Sequence, residues 1–362
     1  MRTIRITGTG SALPGRIVTN KELEQLVETS DEWIRERTGI AERHVSVGET
    51  VVTLASEAAR KALEQAGKRA EEIDLILVAT CSPEQYLPCC ACQVQADIGA
   101  VNALAFDVNA ACSGFLFALN TADVYLRTGL AKNALIIGSE VLSKLVDWTD
   151  RGSCILFGDG AGAVVVERCR TESRAVEYSN ALAETEKGMQ ETAEEKRIPA
   201  AGILGRALHS DGTGGGVLQC GARELATPYA RTSAAKTDQN QLTDGREPYI
   251  QMDGQEVYRF ATRRVPQCIG EALSDAGLAV PDIDLFVLHQ ANARIIDAVA
   301  KRLHADRDKF PTNLERVGNM SSASIPVLLD ELNRQEKLHR GDRIVLAGFG
   351  AGLTIGACVM TW

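Results

Sequence analysis

Hydrophobic positions alternate between helical spacing and short unbroken runs along most of the chain. In Ala62–Leu75 (ALEQAGKRAEEIDL) an amphipathic helix stops at Gly67 and gives way to a buried strand predicted over Leu75–Ala79. The same order returns in Ala272–Leu285 (ALSDAGLAVPDIDL), with Gly277 as the stop and a strand predicted over Leu285–His289. The two segments align without a gap at an offset of 210. Identities fall at Ala62/Ala272, Leu63/Leu273, Ala66/Ala276, Gly67/Gly277, Ile73/Ile283, Asp74/Asp284 and Leu75/Leu285. ALxxAG is a common helix end, but seven identities in one register outweigh coincidence. A second echo pairs FGDGAGAVVVE (Phe157–Glu167) with FGAGLTIGACVM (Phe349–Met360), each read as a Gly-rich turn feeding an apolar strand.

These echoes predict two similar α/β halves, 1–170 and 205–362, with mixed sheets flanked by helices. Between them lies a charged insertion, 171–204, whose centre Glu184–Arg197 (ETEKGMQETAEEKR) lacks a hydrophobic face. A second polar stretch, Ala230–Gly245, has loop composition and reads equally as surface or as a lid over a cleft. The length of 362 residues suits two domains, and 45% hydrophobic with 24% charged residues suits a large core. No apolar run approaches the ~20 residues of a membrane span. Met1–Gly15 lacks a signal-peptide core and reads instead as a first strand, Thr3–Gly8, so a cytosolic protein is expected. The charge, 39 basic minus 48 acidic or −9, argues against nucleic-acid binding, which needs clustered cations. Most of the ten cysteines lie in apolar stretches and read as small buried hydrophobes.

Cys112 is the sharpest chemical signal. The run AFDVNAACSGFLFALNTADVYL begins as a strand, Ala105–Val108, and becomes a helix with apolar Phe115, Leu116, Leu119 and Val124. Cys112 falls at the junction, where free N–H groups and the helix dipole are expected to favour thiolate. The small collar AACSG is expected to keep the sulfur accessible, so we read a nucleophile. His289 ends a strand and precedes the helix in QANARIIDAVAKRL, at the strand end where α/β proteins place chemistry. Alone it is as well explained as a satisfied structural residue. His304 reads as solvated and His209 as a loop support. Asn319, in RVGNMSSASIPVLLDEL, is locally best explained as a helix cap. By the repeat it enters a helix near the counterpart of the one at Cys112, where its amide can donate to an oxyanion. AGFGAGLTIG (Ala347–Gly356) follows a strand, Arg343–Leu346, and lacks the Lys-Ser/Thr of a phosphate loop. It reads as a turn offering backbone N–H groups near the thiol. Neither this segment nor FGDGAG is assigned a nucleotide.

Six motifs taken in order carry a resemblance over nearly the whole chain. They are TSDEWIRERTGI (Thr29–Ile40), DVNAACSGF (Asp107–Phe115), DRGSCILFGDGAGA (Asp150–Ala163), HQANARI (His289–Ile295), GNMSSASIP (Gly318–Pro326) and GFGAGLT (Gly348–Thr354). The chain resembles the β-ketoacyl-acyl-carrier-protein synthase III family, initiating condensing enzymes of type II fatty-acid synthesis with a thiolase-like fold. The resemblance implies a Cys112-His289-Asn319 triad and ping-pong decarboxylative condensation of an acyl-CoA, acetyl or another short or branched primer, with malonyl-acyl carrier protein. It implies oxyanion contacts from the backbone of Cys112, Gly350 and Ala351. It also implies that Trp33 and Arg151 sandwich the CoA adenine, with Arg37 and Thr38 nearby and Asn292 on the pantetheine arm. A Trp beside an Arg suits a base physically, although Trp33 is equally explained as an anchor for its helix.

For the acidic carrier protein the docking face implied is Gln290, Ala291, Asn292, Ala293, Arg294, Arg259 and Lys301, with Arg263, Arg264 and Arg302 beside them. A homodimer is implied in which Leu87 closes the partner's acyl pocket, with no cofactor, metal or membrane. Three departures stand out: Ala351 where many relatives carry Gly, Ile355 where an aromatic often follows the Thr, and Leu87 with Cys89, Cys90 and Cys92 nearby. CCAC lacks the further ligands of a tetrahedral metal site. The alternative is a secondary-metabolite acyltransferase on the same scaffold with a different acceptor.

Overall fold

The structure, a computed structural model, describes residues 2–170, 202–221 and 249–362. Glu184–Arg197 and Ala230–Gly245 lie outside the described residues. In the first sheet the order is β1 (Arg2–Ala12), β7 (Gly160–Arg170), β6 (Asn133–Glu140), β4 (Leu75–Ala79) and β5 (Leu104–Val108). β6, β4 and β5 run parallel to one another, and β7 is antiparallel to both β1 and β6. The second sheet is ordered β8 (Gly202–Ser210), β13 (Thr354–Thr361), β12 (Arg343–Gly350) and β11 (Leu285–Leu288), with β11 and β12 parallel and the rest antiparallel. Two small pairs, β2 (Arg16–Thr19) with β3 (Glu42–Val45) and β9 (Leu218–Cys220) with β10 (Ile250–Met252), lie outside the main sheets.

Five layers result, alternating helix and sheet. The helices Gly114–Thr128 and Ser324–Arg334 form the central layer, their Phe115, Leu119, Leu328 and Leu332 packing with Ile4, Ile136, Val287 and Leu346 of both sheets. Helix Val51–Ala66 covers the outer face of the first sheet, and helices Gly254–Ala276 and Ala293–Leu303 cover that of the second. The fold is α/β and mixed-sheet, as the alternating pattern predicts. Helices Val51–Ala66 and Gly254–Ala276 both end on left-handed glycines, Gly67 and Gly277, whose missing Cβ makes that conformation accessible.

Element boundaries shift in several places, β1 running on past Gly8 to Ala12 and β11 stopping at Leu288, one residue short of His289. β8 begins at Gly202, inside the stretch read as the end of the insertion. β12 runs to Gly350 rather than stopping at Leu346, because pairing with β13 continues through Gly348↔Gly356 and Gly350↔Thr354. The glycines that read as a turn are therefore mostly strand, and only Ala351–Leu353 turns.

Candidate active site

Cys112, His289 and Asn319 arrive from three segments far apart in the chain and line one cavity of about 1510 Å³. Cys112 sits in a 3-10 turn, Ala111–Ser113, between β5 and the Gly114–Thr128 helix. Ala111 takes a left-handed φ of 46°, which a residue with a Cβ adopts only when its surroundings demand it. Those surroundings come from the other half. Gly350 presses on this turn so closely that a Cβ there would stand 2.6 Å from the Cys112 nitrogen. Ser113 Oγ and Thr354 Oγ1 are 2.7 Å apart, tying the turn to the start of β13.

His289 follows β11 and is held by its N–H donating to the Ala347 carbonyl (2.8 Å). Its ring meets Phe349 edge-on, with centroids 5.5 Å apart. Nδ1 is buried without a hydrogen-bond partner. An orphaned acceptor is tolerated better than an orphaned N–H, which favours the tautomer with its proton on Nε2. Burial pushes the imidazole down to about 3, so it is neutral at physiological pH. Asn319 is fixed against the Leu156–Gly158 segment: its N–H donates to Leu156 O (2.9 Å), and its carbonyl accepts from Gly158 N–H (3.0 Å). Its side-chain Oδ1 accepts the Ser321 N–H at 2.9 Å, which orients the amide and leaves Nδ2 as its donor. The site thus offers a thiol beside two neutral donors.

The thiol departs from expectation. Cys112 is 9% exposed, and burial pushes it up to about 12, outweighing the helix dipole that favours thiolate. The small-residue collar leaves Cys112 on the cavity wall but does not keep it well solvated. Alkylation of the Cys112 peptide, followed by mass spectrometry, should therefore speed up about tenfold per pH unit from pH 7 to 10 without levelling. A plateau reached by about pH 8 would instead mark a dipole-activated thiolate.

Trp33, Arg37, Thr38, Ala291 and Asn292 also line this cavity. Trp33 lies in helix Asp31–Thr38, whose Ser30 cap accepts the Trp33 N–H at 3.1 Å. Arg151 stacks directly on the Trp33 ring, 4.9 Å from its centroid, and Arg37 approaches at 5.9 Å. Trp33 and Arg151 thus touch each other directly rather than facing across a gap. The Thr38 hydroxyl is engaged within its own turn, donating to Ile34 O and accepting from Ile40 N–H. Asn292 caps helix Ala293–Leu303, accepting the Arg294 N–H, while its Nδ2 donates to the Arg37 carbonyl (3.0 Å).

On the basic face Arg294, Arg259, Arg263, Lys301 and Arg302 are exposed, and Arg264 is half-buried. Arg294 lies over Tyr258, Arg259 pairs with Glu256, and Arg302 donates to the Thr262 carbonyl. Gln290 corrects the reading: it is wholly buried, its amide donating to Leu288 O and accepting from Asn313 N–H, and it has no surface for a partner. Ala293 packs toward Gly39, whose missing Cβ leaves the room. Leu87 is 85% exposed and does not line the cavity of the single chain. His209 pairs with Glu271, and His304 ends its helix exposed. Among the described residues no group of three His, Cys, Asp or Glu side chains is placed to hold a metal, and no helix is long and apolar enough to cross a membrane.

Sequence reading missed Glu140, Cys81 and Ser321, which surround the thiol from behind. The buried Ser321 hydroxyl faces Cys112, Cys81 and Glu140 without a hydrogen bond of good geometry. The offset of 210, extended from the helices to Asn109/Asn319, is the signal that would have pointed to this turn.

Residues 106–182 match the family described as 3-oxoacyl-[acyl-carrier-protein (ACP)] synthase III, and residues 273–362 match its C-terminal part. A beta-ketoacyl-[acyl-carrier-protein] synthase III from Clostridium acetobutylicum is 44% identical over 362 residues, covering 100% of this chain and 99% of that protein. The crystal structure of 3-oxoacyl-[acyl-carrier-protein] synthase III from Aquifex aeolicus is 38% identical with a TM-score of 0.82, covering 99% of this chain and 100% of the other. The synthase III structure from Thermus thermophilus is 36% identical with a TM-score of 0.83, covering 99% of each chain. Identity at this level over full length, on the same α/β fold, means that the chain belongs to the β-ketoacyl-acyl-carrier-protein synthase III family.

Proposed function

We propose that this acyltransferase starts fatty-acid chains by decarboxylative Claisen condensation of a short acyl-CoA with malonyl-acyl carrier protein. The observation that carries the reading is the convergence of Cys112, His289 and Asn319 on one cavity, with Trp33 and Arg37 on its wall. Cys112 sulfur attacks the acyl-CoA thioester, giving an acyl-cysteine, and the thiol proton ends on the departing CoA sulfur. Malonyl-carrier protein then enters, and loss of CO2 leaves an enolate whose oxygen accepts from His289 Nε2–H and Asn319 Nδ2–H. The carbanion attacks the acyl carbonyl. The oxyanion formed there faces the backbone N–H groups of Cys112 and the Gly350-Ala351 segment, and collapse releases the 3-ketoacyl thioester and the Cys112 sulfur.

All groups in this sequence belong to the protein or the two thioesters, and no cofactor is invoked. Two neutral donors beside the thiol favour decarboxylation over plain acyl transfer, which needs no enolate partner. The exposed cations Arg294, Arg259 and Lys301 suit an acidic carrier protein. Exposed Leu87 suits a homodimer in which it closes the partner's acyl pocket. Buried thiols such as Cys90, Cys154, Cys268 and Cys358 suit the reducing cytoplasm. The purified protein, given malonyl-carrier protein and a panel of straight and branched acyl-CoAs, should release CO2 and yield 3-ketoacyl-carrier protein from short primers, while light scattering reads twice the chain mass. CoA release without CO2 from every primer would overturn the condensation reading in favour of acyl transfer.

A further inference from the structure

The offset of 210 relating the two halves continues into the active site. Asn109–Phe115 (NAACSGF) corresponds residue for residue to Asn319–Ile325 (NMSSASI). Ala111 and Ser321 both take left-handed φ, 46° and 48°, and both open 3-10 turns, Ala111–Ser113 and Ser321–Ala323. Asn109 Oδ1 accepts the Ala111 N–H just as Asn319 Oδ1 accepts the Ser321 N–H. β6 (Asn133–Glu140) and β12 (Arg343–Gly350) keep the same offset. Cys112 therefore corresponds to Ser322, His289 to Ala79, and Gly350 to Glu140.

The two versions of this arrangement have diverged at one place. Gly350 has no side chain and packs its backbone directly against the Cys112 turn, whereas Glu140, fully buried, sets a carboxyl beside Ser322. Ser322 Oγ lies 2.9 Å from Glu140 Oε1 and 2.8 Å from the Ala79 carbonyl. Glu140 Oε2 accepts from Ser82 Oγ (2.6 Å), Thr80 Oγ1 (3.2 Å) and the Cys81 N–H (3.1 Å), and the Cys81 thiol stands 3.5 Å from both oxygens. A single Ser322 hydroxyl hydrogen cannot serve both of its neighbours. Every group is satisfied if Glu140 carries a proton and donates it to Ser322, which donates in turn to Ala79. Burial, which pushes the Glu140 carboxyl up, acts in the same direction. Gly138, two residues earlier on β6, lets this strand touch the same turn, since a Cβ there would stand 2.2 Å from Ser322 O.

We infer that Glu140 is a positioning residue for Asn319: its carboxyl plugs the counterpart of the active site and pins the turn that orients the Asn319 amide. The path is short. Glu140 holds Ser322, and the neighbouring Ser321 N–H holds Asn319 Oδ1. Cys112 is braced independently by Gly350 and Thr354, so the enolate-stabilising step depends on this plug more than acylation does. The inference deepens the condensation reading proposed above and rests on it.

The test uses Glu140→Ala, Ser322→Ala and Glu140→Gln in the full chain, measuring Cys112 acylation by intact mass and malonyl-carrier decarboxylation by CO2 release. A small misplacement of a catalytic group is costly. The ratio of decarboxylation to acylation should fall about tenfold or more in both alanine variants and return to within about threefold in Glu140→Gln, whose amide can donate to Ser322 and accept from Ser82. General loss of structure would lower both steps together and leave the ratio unmoved. An unchanged ratio in the alanine variants, or no recovery in Glu140→Gln, overturns the inference. If Glu140→Ala does not fold, Ser322→Ala carries the test. Wild-type protein lacking either half-reaction would instead sink the condensation reading itself.

Discussion

Cys112→Ala abolishes the mass gain that wild-type protein shows after incubation with an acyl-CoA, and condensation falls by roughly 10³-fold or more. The chain has ten cysteines, so the result depends on position and not on chemistry alone. Of these, Cys112 lies on the cavity wall shared with His289 and Asn319, at the turn on which Gly350 presses. Cys81, its nearest rival, points into the Glu140 network, and its thiol is held well up by burial beside that carboxyl. The substitution removes only the sulfur, and the brace of Ser113 Oγ on Thr354 Oγ1 remains, so the fold should persist. Acylation of the alanine variant at the wild-type rate would reject Cys112 as nucleophile.

His289→Ala and Asn319→Ala should each acylate Cys112 within a few-fold of wild type and lose about 10²–10³-fold in malonyl decarboxylation, the usual cost of removing one oxyanion donor. The asymmetry follows from what each side chain offers. Asn319 has its oxygen committed to Ser321 and presents an N–H. His289 is neutral, with Nδ1 buried and unpartnered, and presents Nε2–H. Neither is arranged to take a proton from the thiol. Because His289 is pushed down to about 3, it keeps one charge state between pH 5 and 8, and decarboxylation on preformed acyl-enzyme should show no step from its titration in that range. A half-maximal loss near pH 6.5 would mean an imidazole that ionises freely, and full decarboxylation in both alanine variants would end their assignment as donors.

Much of the fold was legible because its signals are local. The helix stops at Gly67 and Gly277 and the apolar runs after Asp74 and Asp284 are properties of a few neighbouring residues, and β4 spans Leu75–Ala79 as the pattern predicts. The residues converging on the cavity were legible in kind, since a cysteine at a strand-to-helix junction and a histidine at a strand end occupy positions that favour chemistry. Other features depend on contacts between distant segments. β12 extends to Gly350 because β13 pairs with it, buried Gln290 accepts a hydrogen bond from Asn313 N–H, and Arg151 meets Trp33 from more than a hundred residues away.

By itself the chain's order of residues determined a duplicated α/β scaffold, the register of its repeat, and which side chains were worth suspecting. Only tertiary structure decided their state: that the Cys112 thiol and the His289 imidazole both rest neutral, that the Asn319 amide commits its oxygen to Ser321, and that Glu140 sets a buried carboxyl beside Ser322 in the other half. The physical reason is that protonation and side-chain direction depend on desolvation and on hydrogen bonds to atoms far away in sequence, whereas helix stops and strand runs depend on neighbours.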